Sequence, residues 1–307
     1  MKVLVTGASG FIGSHVIDAL VGAGHEVRGL SRKLPESGRQ KPGVEYVDGV
    51  DVGDANTLTV SMFAGIDAVI HLVGIIQEGK SGQTFQRIHV DGTRNVLATA
   101  HAAGFAGRFL YMSAIGTTAD APAQYSRTKY AAEQLVIGSG FAYTILRPSL
   151  VMGRDGEFVA QMAELIKYGG LPFKAPFPVI PVPGSGKNKF QPIYIDDLTG
   201  CAVKALADPE TANQVYELGG ASQISFNELL SGFAKSLHVK KPMVHAPVPI
   251  LKVVATFMEV MMPKPPVTRD QLANLGRDNI TGSHAVRDVF GISPLGFDSI
   301  LMKIYGN

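Results

Sequence analysis

Residues 2–13 read Lys2-Val3-Leu4-Val5-Thr6-Gly7-Ala8-Ser9-Gly10-Phe11-Ile12-Gly13. A short apolar run stops at a glycine. Three glycines at the spacing G-x-x-G-x-x-G then lead into residues with helical periodicity, Ile12, Val16 and Leu20. A strand that turns into a helix through glycines exposes free backbone N–H groups at the positive end of the helix dipole, with no side chains to block close approach. A pyrophosphate needs that environment. The stretch therefore predicts a dinucleotide held over Gly7, Ser9, Gly10, Phe11, Ile12 and Gly13. Glycines are common in this chain, 35 in all. Their place at the first strand–helix junction gives the signal its weight.

Outward from this turn the pattern alternates. Strands are expected at Lys2–Thr6, Glu26–Leu30, Val44–Val47, Asp67–Val73, Phe109–Met112 and Tyr143–Leu146. Helices are expected over Phe11–Val21, Thr84–Ala103 and Tyr125–Ile137. Strict strand–helix alternation with near-continuous apolar strands implies right-handed crossovers and a parallel sheet covered on both faces. The expected fold is α/β, a Rossmann-type doubly wound parallel sheet with a smaller, mostly C-terminal substrate domain. The first domain takes residues 1–150 with roughly 187–212; the second takes roughly 151–186 and 213–307. Residues 169–186, rich in Gly and Pro, read as loop. Ser225-Phe226-Asn227-Glu228 reads as a capping box that opens a helix.

Composition narrows the function. The chain has 307 residues, 46% hydrophobic and 18% charged, enough for real cores and too apolar for disorder. Its net charge of +2 gives no global field for nucleic acid, so none is expected as a partner. The lone Cys201 excludes an internal disulfide and a cysteine zinc site, and suits a reducing compartment. The eight His show no ligand spacing, so no metal is expected. No secretory leader and no apolar run of spanning length is visible, so a cytoplasmic location without a transmembrane segment is expected.

The second strand ends Leu30-Ser31-Arg32-Lys33. An acid at this place accepts from an adenosine 2′-hydroxyl, whereas a guanidinium suits a 2′-phosphate. Arg32 and Lys33 favour NADP(H) over NAD(H). Asp51 and Val52, after the third strand, are candidates for the adenine. Tyr125 and Lys129 stand four apart on one helix face. An ammonium beside a phenol favours its phenolate, and Lys129 also reaches for nicotinamide ribose hydroxyls. A Tyr and Lys at this spacing are weak evidence alone. Behind a glycine turn and between strands five and six they gain force.

With Thr6-Gly7-x-x-Gly10-Phe11-Ile12-Gly13, Asp67-x-Val69-Ile70-His71-Leu72, Tyr125-x-x-Thr128-Lys129, Leu146-Arg147-Pro148 and Tyr194-Ile195-Asp196-Asp197, the chain resembles the extended or atypical short-chain dehydrogenase/reductase superfamily, of the NAD-dependent epimerase/dehydratase type. His71-Leu72-Val73-Gly74-Ile75-Ile76, Ser113-Ala114-Ile115-Gly116 and Tyr216-Glu217-Leu218-Gly219-Gly220 resemble a narrower group, the nucleotide-binding accessory subunit of respiratory complex I and its bacterial relatives. The resemblance implies Tyr125 as acid/base, Lys129 as its partner and Ser113 as an orienting hydroxyl. It places Leu72, Val73, Gly74 and Pro148 along the cofactor. The chain departs from the family at Ala114, where the catalytic hydroxyl is expected, leaving Ser113, Thr117 or Thr118 to replace it. Two functions stay open: an oxidoreductase acting on a small molecule such as a sugar nucleotide, and an accessory protein that holds NADP(H) without turnover.

Other residues carry lesser expectations. His71 reads as a core histidine, and Gly184-Ser185-Gly186-Lys187 as a mobile loop over substrate. Arg147, with Lys187 and Lys189, is a candidate for an anionic substrate. Val248–Met262 is apolar on most faces, which suits core or interdomain packing first. A protein or membrane-adjacent partner is the alternative.

Overall fold

A computed structural model describes residues 1–35, 40–79, 82–169, 175, 177–261, 265 and 268–306. Within the stretches 169–186 and Val248–Met262 read above, residues 170–174, 176 and 262 lie outside the described residues. The first half alternates as expected: β1 (Lys2–Thr6), α1 (Phe11–Gly22), β2 (Glu26–Leu30), β3 (Val44–Val47), β4 (Ala68–His71), α2 (Gly92–Ala102), β5 (Arg108–Met112), α3 (Gln124–Ile137) and β6 (Ala142–Pro148). Then follow β7 (Val151–Met152), α4 (Glu157–Tyr168), β8 (Ile180–Pro183), β9 (Lys189–Phe190), β10 (Ile193–Tyr194), α5 (Ile195–Ala207) and β11 (Gln214–Leu218). The chain ends in β12 (Ile224–Ser225), α6 (Phe226–Ser236), β13 (Met243–Ala246), α7 (Val248–Met261), α8 (Arg269–Leu275), α9 (Ala285–Asp288) and α10 (Phe297–Tyr305).

The main sheet has seven parallel strands in the order β11-β6-β5-β4-β1-β2-β3. Alternation along each strand splits its side chains between two cores. Val3 and Val5 of β1 join Val16, Ile17 and Leu20 of α1 and Leu198 and Ala202 of α5. Leu4 joins Val96 of α2 and Ala132 and Val136 of α3 on the other face. A third cluster is separate from both and gathers Met152, Ile166, Ile180, Phe226, Phe233, Phe297 and Ile300. The capping box at Ser225 and Glu228 is present.

Five features differ from the sequence reading. The helix expected over Thr84–Ala103 begins with a π-helical turn, Gln86–Asp91, before α2. A seventh strand, β11, joins the sheet edge at 214–218. It pairs only with β6 and exposes Gln214 and Val215, so it lacks the continuous apolar run of a central strand. Within the stretch read as loop, β8 pairs in parallel with β13. Ile180 and Gly184 donate to the Pro242 and Ala246 carbonyls at 2.9 Å, and Pro181 and Pro183 take the alternate positions, where no donor is needed. The loop Gly184–Lys187 is tied down rather than free: the Asn227 backbone N–H donates to the Gly186 carbonyl at 3.0 Å. Helix α7 buries Ala255 but leaves Ile250, Val253 and Met261 at 59%, 70% and 64% exposure, so this helix is not chiefly core.

Candidate active site

The glycine turn is shaped by backbone contacts. Gly7 has φ +75° and donates to the Leu30 carbonyl at 3.0 Å. A Cβ on Gly13 would stand 2.1 Å from the Gly7 oxygen, so only glycine lets the helix start this close to the strand. Gly10 is the N-cap of α1 and has no side chain to spend on the first-turn N–H groups. Ser9 and Gly10 are exposed, and Phe11 and Ile12 partly so. The Phe11 ring packs against Gly153 and Gly156, where an added Cβ would meet it at 2.8 and 3.1 Å. This turn, with an exposed glycine N-cap and no side-chain cap on the first N–H groups, fits a pyrophosphate.

The neighbouring strand ends complete the crevice. Val73 lies against Gly7, within 3.3 Å of a Cβ built there, with Leu72 beside it. Gly74 lies beside Lys129, whose Nζ is 3.9 Å from a Cβ built on the glycine. Arg32 and Lys33 are exposed after β2. The Val50 N–H donates to the Ser31 carbonyl at 3.0 Å, which sets Asp51 next to Arg32. The Asp51 carboxylate is already engaged: it pairs with Arg87 at 2.7 Å and accepts from the Gly53 N–H at 3.0 Å. The Val52 side chain is buried in the core, and its carbonyl accepts from Asn95. Pro148 is buried, and its carbonyl accepts from Ile115.

Lys129 is the most confined charge of the group. Its ammonium is buried, donates to the Met112 carbonyl at 2.5 Å and stands 4.3 Å from the centre of the Tyr111 ring. Burial brings its pKa down to about 7, against the opposing pull of Glu133. Ser113 follows directly on Met112. Its hydroxyl is buried and has no hydrogen-bond partner among the described residues. Thr117 turns its hydroxyl back onto the Ala114 carbonyl, and Thr118 is exposed.

Tyr125 opens α3. No hydrogen bond joins it to Lys129 among the described residues. Its ring stands edge-on to Phe85 and His89, with centroids 5.9 and 5.4 Å away. Burial and then the Asp270 carboxylate push its pKa up to about 12, so the phenol is held protonated. Asp270, from α8, caps α3 across space: it accepts from the Gln124 N–H at 2.5 Å and the Tyr125 N–H at 3.2 Å. Ser126 and Asn274 add a second link at 3.3 Å. A cleft of about 510 Å³ runs between these elements, lined by Gln77, Glu78, Phe85, Gln124, Arg127, Glu259 and Asp270 among others.

Two buried histidines frame the site. His71 bonds Thr6 at 2.6 Å and Thr93 at 3.1 Å, a core role as expected. His89 sits in the π-helical turn, on the Ile75 backbone at 3.1 Å and on Thr128 at 2.9 Å. Thr128 spends its proton on the Gln124 carbonyl, so it accepts from His89 Nδ1–H, and Nε2 accepts from the Ile75 N–H. Burial and then Lys129 depress both rings to about 3, so both are neutral. Arg147 is held in a bidentate pair with the fully buried Glu133, at 2.9 and 2.5 Å, with Glu217 at 4.0 Å. It ties β6 to α3 rather than standing ready for a substrate. Lys187 and Lys189 lie by the start of α6, and the Lys189 N–H donates to Asp278.

Sequence reasoning did not single out His89, Asp270 or Arg87. His89 lies within the apolar run Ile88–Val90 and offered only a lone histidine as signal. Asp270 acts 145 residues from Tyr125, and nothing local points to that contact.

Comparison with known proteins gives the family and the fold. Residues 3–219 match the NAD dependent epimerase/dehydratase family. The chain is 26% identical over 297 residues to the NADH dehydrogenase [ubiquinone] 1 alpha subcomplex subunit 9 of Arabidopsis thaliana, covering 92% of this chain and 71% of the relative. It is 31% identical over 258 residues to the 2-alkyl-3-oxoalkanoate reductase of Stenotrophomonas maltophilia, covering 75% and 74%. A UDP-glucose 4-epimerase structure from Thermotoga maritima superposes with a TM-score of 0.72 at 20% identity, over 99% of this chain and 97% of that one, which is a likeness of fold. With the family match spanning the glycine turn, the Tyr125–Lys129 helix and the whole seven-stranded sheet, the chain belongs to the NAD-dependent epimerase/dehydratase family.

Proposed function

We propose that the protein is an NADP(H)-linked oxidoreductase that interconverts a carbonyl and a hydroxyl on a small molecule. The observation that carries this reading is the buried Lys129 ammonium beside Gly74. An ammonium has three donors. The Met112 carbonyl takes one, and the hydroxyls of a nicotinamide ribose fit the others. The orphaned Ser113 hydroxyl, next along the chain, supports a role in orienting a substrate oxygen. The cofactor, when bound, supplies or accepts the hydride. Tyr125, held protonated, is assigned the proton that moves to or from the substrate oxygen. The reductases among the relatives support a carbonyl substrate, and the sugar-nucleotide epimerases share the fold. We assign the substrate side to the third hydrophobic cluster, drawn mainly from residues 151–186 and beyond 213. Arg32 and Lys33 are assigned to the 2′-phosphate.

A second reading, a cofactor-holding accessory protein, is favoured by Ala114 and by the commitment of Thr117 to its carbonyl. Titration of NADPH and NADH by reduced-nicotinamide fluorescence, with a screen of carbonyl compounds, separates the two. Under the first reading Arg32→Ala weakens NADPH towards the NADH level, Lys129→Met weakens both cofactors, and Tyr125→Phe abolishes turnover with binding intact. Tight NADPH binding with no turnover that depends on Tyr125 selects the second.

A further inference from the structure

Asp51 is an awkward residue for an NADP(H) site. The Val50–Ser31 backbone bond brings Asp51 near Arg32, whose charge acts on its carboxyl, at the strand end where a 2′-phosphate is expected, and two negative groups held close repel. The structure answers this with Arg87, from the π-helical turn before α2, whose guanidinium meets the Asp51 carboxylate at 2.7 Å. The arrangement is built rather than casual. A Cβ on Gly53 would stand 2.9 Å from the Arg87 guanidinium carbon, so the backbone there leaves room for the arginine. The segment is pinned from the same helix: Asn95 donates to the Val52 carbonyl at 2.8 Å, and Gly92 packs on Val52. Partial burial alone raises the Asp51 carboxyl pKa. Arg87, the Gly53 N–H and Arg32 together bring it below its ordinary value, so the group is ionised and does need compensation.

We infer that Arg87 is a cofactor-specificity residue that acts through Asp51: by neutralising that carboxylate it leaves Arg32 and Lys33 free to engage a 2′-phosphate. The inference rests on the NADP(H) reading above and adds the residue that makes it compatible with an acid in the same pocket. Arg87 is a positioning and charge-compensating group. It is not itself the phosphate ligand.

The test is a charge-restoration cycle. The affinities of wild-type protein, Arg87→Met, Asp51→Asn and the double variant for 2′-phospho-ADP-ribose and for ADP-ribose are measured by calorimetry at low salt. Both probes lack the nicotinamide end, so substrate-side effects drop out. In Arg87→Met the affinity for the 2′-phosphorylated probe should fall about tenfold, with less than a twofold change for ADP-ribose. Adding Asp51→Asn should restore it, and Arg87→Lys should keep most of it. A loss that Asp51→Asn does not restore overturns the inference, because Arg87 would then bind the phosphate directly. Equal losses for both probes, or none, also overturn it. A wild-type protein that prefers ADP-ribose overturns the NADP(H) reading itself, and is told apart because it appears before any variant is made. The Arg87→Lys and double variants guard against a loss caused by misfolding.

Discussion

The Asp270 carboxylate accepts from the backbone N–H of Tyr125 at 3.2 Å, and its other oxygen accepts from the neighbouring Gln124 N–H. A side chain of α8 thus supplies the N-terminal cap of α3, whose own N-cap position is Ala123 and offers no side-chain acceptor. The capped helix begins at the proposed proton donor. Asp270→Asn keeps the shape and removes the charge. It should cost about 1 kcal/mol in urea unfolding, since a charged cap at a helix N-terminus is lost. It should also shift the Tyr125 pKa downward, because Asp270 raises it. The alkaline limb of turnover should then move to lower pH. A variant with unchanged stability and unchanged pH profile would show the contact to be incidental.

The two neutral histidines set the acid limit. His71 and His89 titrate at about 3 when folded, against about 6.5 unfolded. Their contribution to stability is therefore complete above about pH 6.5 and is lost as pH falls towards 3. Each should add a slope of about 1.4 kcal/mol per pH unit in that window. Lys129 has the same sign in a higher window, between about 7 and 10.5. Unfolding free energies measured from pH 4 to 7 should rise with pH, and His71→Asn should remove about one histidine's share of the slope.

The Glu133–Arg147 pair is structural. Glu133 is fully buried, and both oxygens are held by one guanidinium. Glu133→Ala leaves a partly buried cation without its main partner and should cost about 3 kcal/mol or more. Thermal unfolding of Glu133→Ala and of Arg147→Met checks this. Because Arg147 is tied to α3, neither change should alter affinity for an anionic substrate beyond its effect on folding.

The glycine turn makes the sharpest steric prediction. In Gly13→Ala the new Cβ would sit 2.1 Å from the Gly7 oxygen, backbone against side chain with no rotamer to relieve it. The helix must shift off the strand, at about 2–3 kcal/mol, and NADPH binding should disappear. Gly22→Ala, where nothing lies within 4 Å, is the control and should bind normally.

Much of the fold was legible before any coordinates. The first three strands fall at the residues that the apolar runs marked, and the turn from Thr6 to Gly13 reads directly as strand, turn and helix. These signals are local. Buried parallel strands are continuously apolar, and a helix that starts tight against a strand needs glycine. Strand β11 and the proline-bearing β8 were missed for the converse reason. An edge strand need not be apolar throughout, and prolines at alternate positions fit a strand only once its partner is known.

The candidate site divides the same way. The order of residues along the chain set Gly7–Gly13, Arg32, Lys129 and Tyr125 each at the end of a strand or the start of the helix after it, which is what proposed them as one site. Tertiary structure alone decided how their charges are managed. Arg87 reaches Asp51 across 36 residues, Arg147 is spent on Glu133, and Asp270 reaches Tyr125 across 145. Helix and strand periodicity are written in neighbouring residues. An electrostatic partner is set by distance in space, and only the packed chain brings these groups within 4 Å.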